Sequence, residues 1–214
     1  MKEFLEQYKL DAVLVHTPAN MRNISGFTGE GLVYVSKEDA WILTDSRYTI
    51  AAAAESRGFE VLEYKRNMQQ YLVEKIVKEH PELAEKTFRI GFEDAVMTVE
   101  TYRTLEALFE KMNLKQWELV PLHKKLDKMR RIKTPEEIES IKKAEKIGDE
   151  AFTKVTDWLT KCYREKTSVT EKQVAAHIEF YMRDAGAEGT SFDTIAASGI
   201  HSSMPHAVPT DKVL

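Results

Sequence analysis

The chain has 214 residues, room for more than one compact domain, and its 43% hydrophobic and 31% charged residues are those of a folded chain. With 31 basic against 35 acidic residues the net charge is −4, which gives no electrostatic basis for binding nucleic acid. The single cysteine, Cys162, excludes an intramolecular disulfide and fits a reducing compartment, and no segment approaches the ~20 apolar residues of a membrane span.

The opening Met1-Lys2-Glu3-Phe4-Leu5-Glu6 alternates charged and apolar residues, so it lacks a signal-peptide core, and a cytoplasmic location is expected. Residues 2–9 place Phe4, Leu5 and Tyr8 on one helical face, and Ala12-Val13-Leu14-Val15 reads as a strand buried on both sides, broken by Pro18 and Asn20. Gly31 to Val35 and Ala40 to Leu43 read as strands joined by the polar turn Ser36-Lys37-Glu38-Asp39. Asp45 or Ser46 is expected to cap a helix running to Arg57, with Gly58 as its left-handed terminus. Phe59 to Leu62 reads as a strand. A helix capped by Asn67, carrying Tyr71, Leu72, Ile76 and Val77, follows and stops at Pro81. Arg89 to Phe92 is a strand, Thr98 to Met112 a helix, and Trp117 to Val120 a strand. This alternation predicts an α/β fold, a mixed sheet flanked by helices, over residues 1–121.

Residues 122–134 read as a partly helical connection. Their basic cluster, Lys124 to Lys133, has no interleaved aromatics and fits a solvated face better than a phosphate strip. Long helices then dominate. Thr134-Pro135-Glu136-Glu137 has the N-cap, first-position proline and N3 glutamate of a capping box, and the stripe Ile138, Ile141, Ala144, Ile147, Ala151, Phe152, Val155, Leu159 continues it. Thr170-Glu171-Lys172-Gln173 opens a second helix through Val174, Ile178 and Met182, with Gly186 at its end. Thr190 to Ser198 reads as an extended strand. Two striped helices and one strand leave residues 135–214 without a sheet to pack on, the pattern of an incomplete domain.

Candidate chemistry is sparse. Gly26, Gly29 and Gly31 lack the Lys-Ser/Thr pair of a phosphate cradle, and turn geometry explains them better. His201 and His206 stand five apart on a proline-bearing loop with no third ligand nearby, and His177 reads as a helix-face residue, so no metal site is predicted within the chain.

Four strings together resemble the aminopeptidase P and prolidase family of pita-bread metallopeptidases. They are Asn23-Ile24-Ser25-Gly26-Phe27-Thr28-Gly29, Leu43-Thr44-Asp45-Ser46-Arg47-Tyr48, Arg131-Ile132-Lys133-Thr134-Pro135-Glu136-Glu137-Ile138, and Ser198 to Thr210. The resemblance implies a creatinase-type N-terminal domain over 1–121 and the first, incomplete part of a pita-bread α+β domain over 135–214. It further implies an enzyme that hydrolyses the bond preceding proline in proline-containing peptides. Such an enzyme uses two divalent metal ions (manganese, cobalt or zinc), held by two aspartates, a histidine and two glutamates expected beyond Leu214. The chain is therefore expected to be inactive by itself. His206 matches the family's catalytic histidine, which hydrogen-bonds substrate and the tetrahedral intermediate without ligating metal. Phe192 falls where the family often has a pocket-lining, substrate-binding aromatic, with a plain core phenylalanine as the alternative. His201 departs from the family, where asparagine is usual. The family also implies a homodimer or higher oligomer built through the N-terminal domain. A non-catalytic oligomerisation or binding module is the alternative, separated from the enzyme reading by what the downstream frame encodes.

Overall fold

A computed structural model describes residues 1–214, which divide into two compact units, Met1–Ile132 and Lys133–Leu214. In the first unit, helix α1 (Lys2–Tyr8) leads into strand β1 (Ala12–Val15), and helix α2 (Pro18–Ser25) leads into the hairpin of β2 (Leu32–Ser36) and β3 (Ala40–Thr44). Helix α3 (Thr49–Glu55), strand β4 (Glu60–Glu63), helix α4 (Met68–Glu79) and a 3-10 turn at Pro81–Glu85 follow. Strand β5 (Phe88–Phe92), helix α5 (Val99–Lys111), strand β6 (Trp117–Pro121) and helix α6 (Lys125–Met129) complete the unit.

The six strands form one mixed sheet in the order β4-β3-β2-β1-β5-β6. β2 is antiparallel to both β1 and β3, whereas the β3–β4, β1–β5 and β5–β6 pairs are parallel. All four residues of β1 are buried because the strand is central and covered on both faces. The period-2 geometry of a strand sends Ala12 and Leu14 to one face and Val13 and Val15 to the other. On the first face Leu14, Tyr34, Trp41 and Ile90 pack with Leu72 and Ile76 of α4 and Leu105 and Phe109 of α5. On the second, Val13, Val33 and Ile42 pack with Leu5 of α1, Met21 of α2, Ala52 of α3 and Leu126 of α6. The result is a sheet sandwiched between two helical layers. Of the residues 122–134 read as a connection, 122–132 join this body, with Leu122 and Leu126 both buried in the second cluster.

One helix goes unread in the sequence and one local expectation fails. Pro18 does not merely end β1. With Thr17 as N-cap it occupies the first turn of α2, where its missing N–H costs nothing. Asp45 and Ser46 do not cap α3, because the Asp45 carboxylate accepts from the Arg47 backbone N–H at 2.9 Å and from its guanidinium at 2.7 Å. The helix therefore starts at Thr49, without a side-chain cap, and ends at Glu55, so Gly58 (φ +78°) lies beyond its terminus. Asn67 caps α4 as predicted, accepting from Gln70 N, and Thr98, read only as the start of a helix, caps α5 by accepting from Thr101 N.

The second unit holds helix α7 (Pro135–Arg164) and helix α8 (Glu171–Asp184), each opened by a complete capping box, at Thr134/Glu137 and Thr170/Gln173. The two helices pack through Ala151, Val155 and Ala175 and through His177, whose ring stacks on Trp158 at 3.7 Å. His177 is thus a packing residue. The rest of the stripe is left open within this unit, with Ile138, Ile141, Phe152 and Phe180 all exposed. Thr190 to Ser198 forms no strand. Strand backbone needs a neighbour to accept its N–H and C=O groups, and this segment has none in its unit. No helix in either unit is long and apolar enough to cross a membrane.

Candidate active-site loop

The stretch Ser198 to Thr210 is irregular in secondary structure but not loosely held. A 3-10 turn over Gly199–Ser203 is stapled by Ser202 Oγ donating to the Gly199 carbonyl at 2.6 Å and Ser203 Oγ to the Ile200 carbonyl at 2.8 Å. A second turn carries Pro205 and His206 and closes through Ala207 N donating to the Met204 carbonyl at 3.1 Å. Ala207 is buried below this turn while His206 is exposed. Phe192 is 71% exposed on the irregular segment before the loop.

The loop is anchored on α8. Thr170 is its N-cap and Glu171 the first helical residue, where the unpaired N–H groups and the helix dipole favour negative charge. The Glu171 and Lys172 N–H groups donate to the Lys212 and Thr210 carbonyls, each at 3.1 Å, so the returning chain satisfies the helix start. Glu171 is 0% exposed. Its Oε1 accepts from Ser198 N at 2.8 Å and Ser198 Oγ at 3.0 Å, and its Oε2 from Thr210 Oγ1 at 2.7 Å and Thr210 N at 3.2 Å. His201 Nδ1 lies 3.1 Å from both oxygens. An ionised carboxylate only accepts, so His201 carries its proton on Nδ1. The Thr210 hydroxyl, opposed by burial and reinforced by His201 and Ser198, holds the Glu171 carboxyl well below the usual glutamate range.

This arrangement does not form a metal site. No group of three or more His, Cys, Asp or Glu side chains is placed to hold an ion, and His201, half of the histidine pair noted in the sequence, is committed to Glu171. Sequence reasoning singled out His206 and Phe192 and missed Glu171. Its only local signal was an acidic residue in the first turn of a helix, which the dipole alone explains, because its partners lie 27 to 39 residues away.

In the first unit two of the three other motif strings lie together, with Tyr48 beside Gly29. Arg47 reaches Glu30 at 3.2 Å, Thr44 Oγ1 donates to the Glu30 carbonyl at 2.6 Å, and Thr28 donates from both N and Oγ1 to Glu55. Turn geometry accounts for Gly26, whose φ of +86° terminates α2, but Gly31 is required by close approach: a Cβ there would stand 2.3 Å from the Leu43 carbonyl oxygen. Beside this loop is a cavity of about 420 Å³ that His16 and Tyr48 help to line. Burial pushes the His16 imidazole below its usual range, against the raising effect of Glu93.

A mixed six-stranded α/β/α unit followed by a capped helical pair and a histidine-bearing loop defines a two-part class. The chain belongs to the Creatinase/Prolidase N-terminal domain family over residues 1–132 and continues into Metallopeptidase family M24 over residues 139–214. It is 35% identical over its full length to the uncharacterized peptidase YqhT of Bacillus subtilis and 32% identical over 98% of its length to an Xaa-Pro dipeptidase of Pyrococcus furiosus. The chain spans about half the length of these relatives, 56% and 54%. An X-Pro aminopeptidase structure from Thermotoga maritima superposes with a TM-score of 0.79 at 31% identity, over 98% of this chain and 56% of that one.

Proposed function

We propose that this chain is the front portion of a metal-dependent Xaa-Pro aminopeptidase or dipeptidase that hydrolyses the bond preceding proline. Support comes from one observation above all: a histidine-bearing loop, held by a buried carboxylate, lies within the segment that matches the metallopeptidase family. In this reading His206 is the catalytic residue. Its imidazole N–H donates to the scissile carbonyl oxygen and stabilises the negative charge that develops there. Pro205 and Pro209 restrict the backbone around it, so little entropy is lost in aiming the ring. Phe192, an exposed apolar ring, supplies a wall for the proline side of the substrate. Divalent ions (manganese, cobalt or zinc) belong to the complete enzyme. The residues present here do not hold them, so the 214-residue chain alone is expected to bind none stoichiometrically and to cleave no Xaa-Pro peptide.

The test joins residues 1–214 to the remaining part of the Bacillus subtilis relative and compares His206→Ala and His201→Asn with the parent. His206→Ala should lower kcat roughly ten- to a thousand-fold, the range for losing one transition-state donor, while metal content stays unchanged. His201→Asn should be nearly silent, because an asparagine Nδ2 stands where the histidine Nδ1 donates to Glu171. Loss of a metal ion in His206→Ala would make His206 a ligand, and an unchanged kcat would remove it from the chemistry.

A further inference from the structure

We propose that Glu171 is the positioning residue of the histidine-bearing loop: one buried carboxylate ties both stems of the loop to the start of α8 and thereby fixes where His206 stands. This rests on the reading of His206 given above, which it deepens. The two oxygens divide the task. Oε1 holds the outgoing stem through Ser198 N and Oγ, and Oε2 holds the returning stem through Thr210 N and Oγ1. His201, inside the loop, donates its Nδ1–H at 3.1 Å to either oxygen and so ties the 3-10 turn to the same point. Lys212 completes the base, its ammonium donating to the Ser198 carbonyl at 2.8 Å and standing 4.0 Å from Glu171 Oε1.

Four donors from two stems converge on one carboxylate, and only a carboxylate accepts at both oxygens. Glutamine has the same shape but replaces one acceptor oxygen with an NH₂ donor, so it can hold one stem and must face donor against donor at the other. Aspartate keeps both acceptors but is one methylene shorter. His201 tolerates replacement by asparagine, because the side-chain nitrogen sits on Cγ in both residues and donates in the same place. Glu171 acts on the reaction only through Ser198, His201 and Thr210 and has no need to touch substrate.

The experiment uses the 214-residue chain, labelled with ¹³C and ¹⁵N, and needs no turnover. In the parent, His201 should show the ring-nitrogen and Cδ2 shifts of an Nδ1-protonated imidazole, and residues 198–210 backbone order parameters near the ~0.85 of rigid chain. Glu171→Gln should weaken the His201 tautomer bias, drop loop order below ~0.6, and speed amide exchange at Ser198 or Thr210 at least tenfold, with the exchange of Ala175 to Met182 in α8 unchanged. Glu171→Asp should loosen the loop similarly, and His201→Asn should preserve its order. A rigid loop in Glu171→Gln overturns the proposal. So does loosening of α8 together with the loop, which would make Glu171 a general stabiliser of the fold. Because the readout is loop order, an unchanged kcat in His206→Ala would refute the catalytic reading without altering this result.

Discussion

Replacing Glu93 with alanine removes the acceptor that joins the end of β5 to the start of α2. Glu93 is buried; its Oε2 accepts from His16 N at 2.6 Å and Thr17 N at 2.9 Å, and its Oε1 from Asn20 Nδ2 at 2.6 Å. Asn20 Nδ2 keeps a second acceptor in Asp127 at 2.9 Å, so alanine strands two backbone N–H groups. At about 1–2 kcal/mol for each of the two part-buried stranded donors, with about 1 kcal/mol added for the cavity, the loss is about 3–5 kcal/mol. For a unit of this size that is a fall in Tm of about 10–20 °C. Glutamine can turn its oxygen toward His16 and Thr17 and meet a conflict only at Asn20, whose Oδ1 is held by Arg130 Nε at 2.6 Å, so Glu93→Gln should cost about 1–2 kcal/mol. Urea unfolding followed by Trp41 and Trp117 fluorescence in a Trp158→Phe background isolates the first unit, and the exposed Glu118→Ala, within about 0.5 kcal/mol of the parent, is the control. A loss below about 1 kcal/mol for Glu93→Ala, or a glutamine variant as unstable as the alanine one, would refute the reasoning.

Limited trypsin digestion should cut first near residues 131–133, beside Ile132 at 87% exposure, and leave a resistant fragment spanning the first unit; a resistant core beginning near Thr134 would count against this division. Acid should loosen the loop late. The Glu171 carboxyl is lowered in the folded chain from the 4.5 usual for glutamate, so its stabilisation is complete above that pH and is lost only as pH falls through the lower folded value. His201 and Lys212 are the titratable groups facing it. In a His201→Asn background, which removes the imidazole titration, the Ser198 and Thr210 amide resonances should therefore hold their positions from pH 7 to about 5 and move only in stronger acid; a midpoint at the ordinary carboxylate value would exclude the clamp as described.

What was legible in the sequence was what local chemistry decides. The boxes at Thr134 and Thr170 and the cap at Asn67 appear where predicted, because an N-cap and its N3 partner lie within four residues of each other. The strands from Ala12 to Trp117 were readable from apolar runs, but their order was not, since β1 pairs with β5 across a gap of 78 residues. Misreadings arose where one side chain had two local options. Asp45 could cap a helix or bind Arg47, and the guanidinium won; Pro18 reads only as the end of a strand, and beyond that end it also starts α2. Thr190 to Ser198 has strand-like composition but no partner, which composition cannot report. Within the candidate site, His206 was legible from its string, whereas Glu171 was not, because every group it holds arrives from the far side of α8.

The central place of β1 has a consequence for synthesis. The three strands that leave the ribosome first, β1, β2 and β3, are joined antiparallel and can form a meander early. The open side of that meander is β1 itself, whose four residues are all apolar and whose parallel partner, Phe88–Phe92, is translated much later. At about 5–20 residues per second the nascent chain carries a bare hydrophobic strand edge for about 2–10 seconds. Aggregation during expression should therefore respond to translation speed between residues 40 and 92, and to chaperones that shield strand edges, more than to the stability of the finished fold.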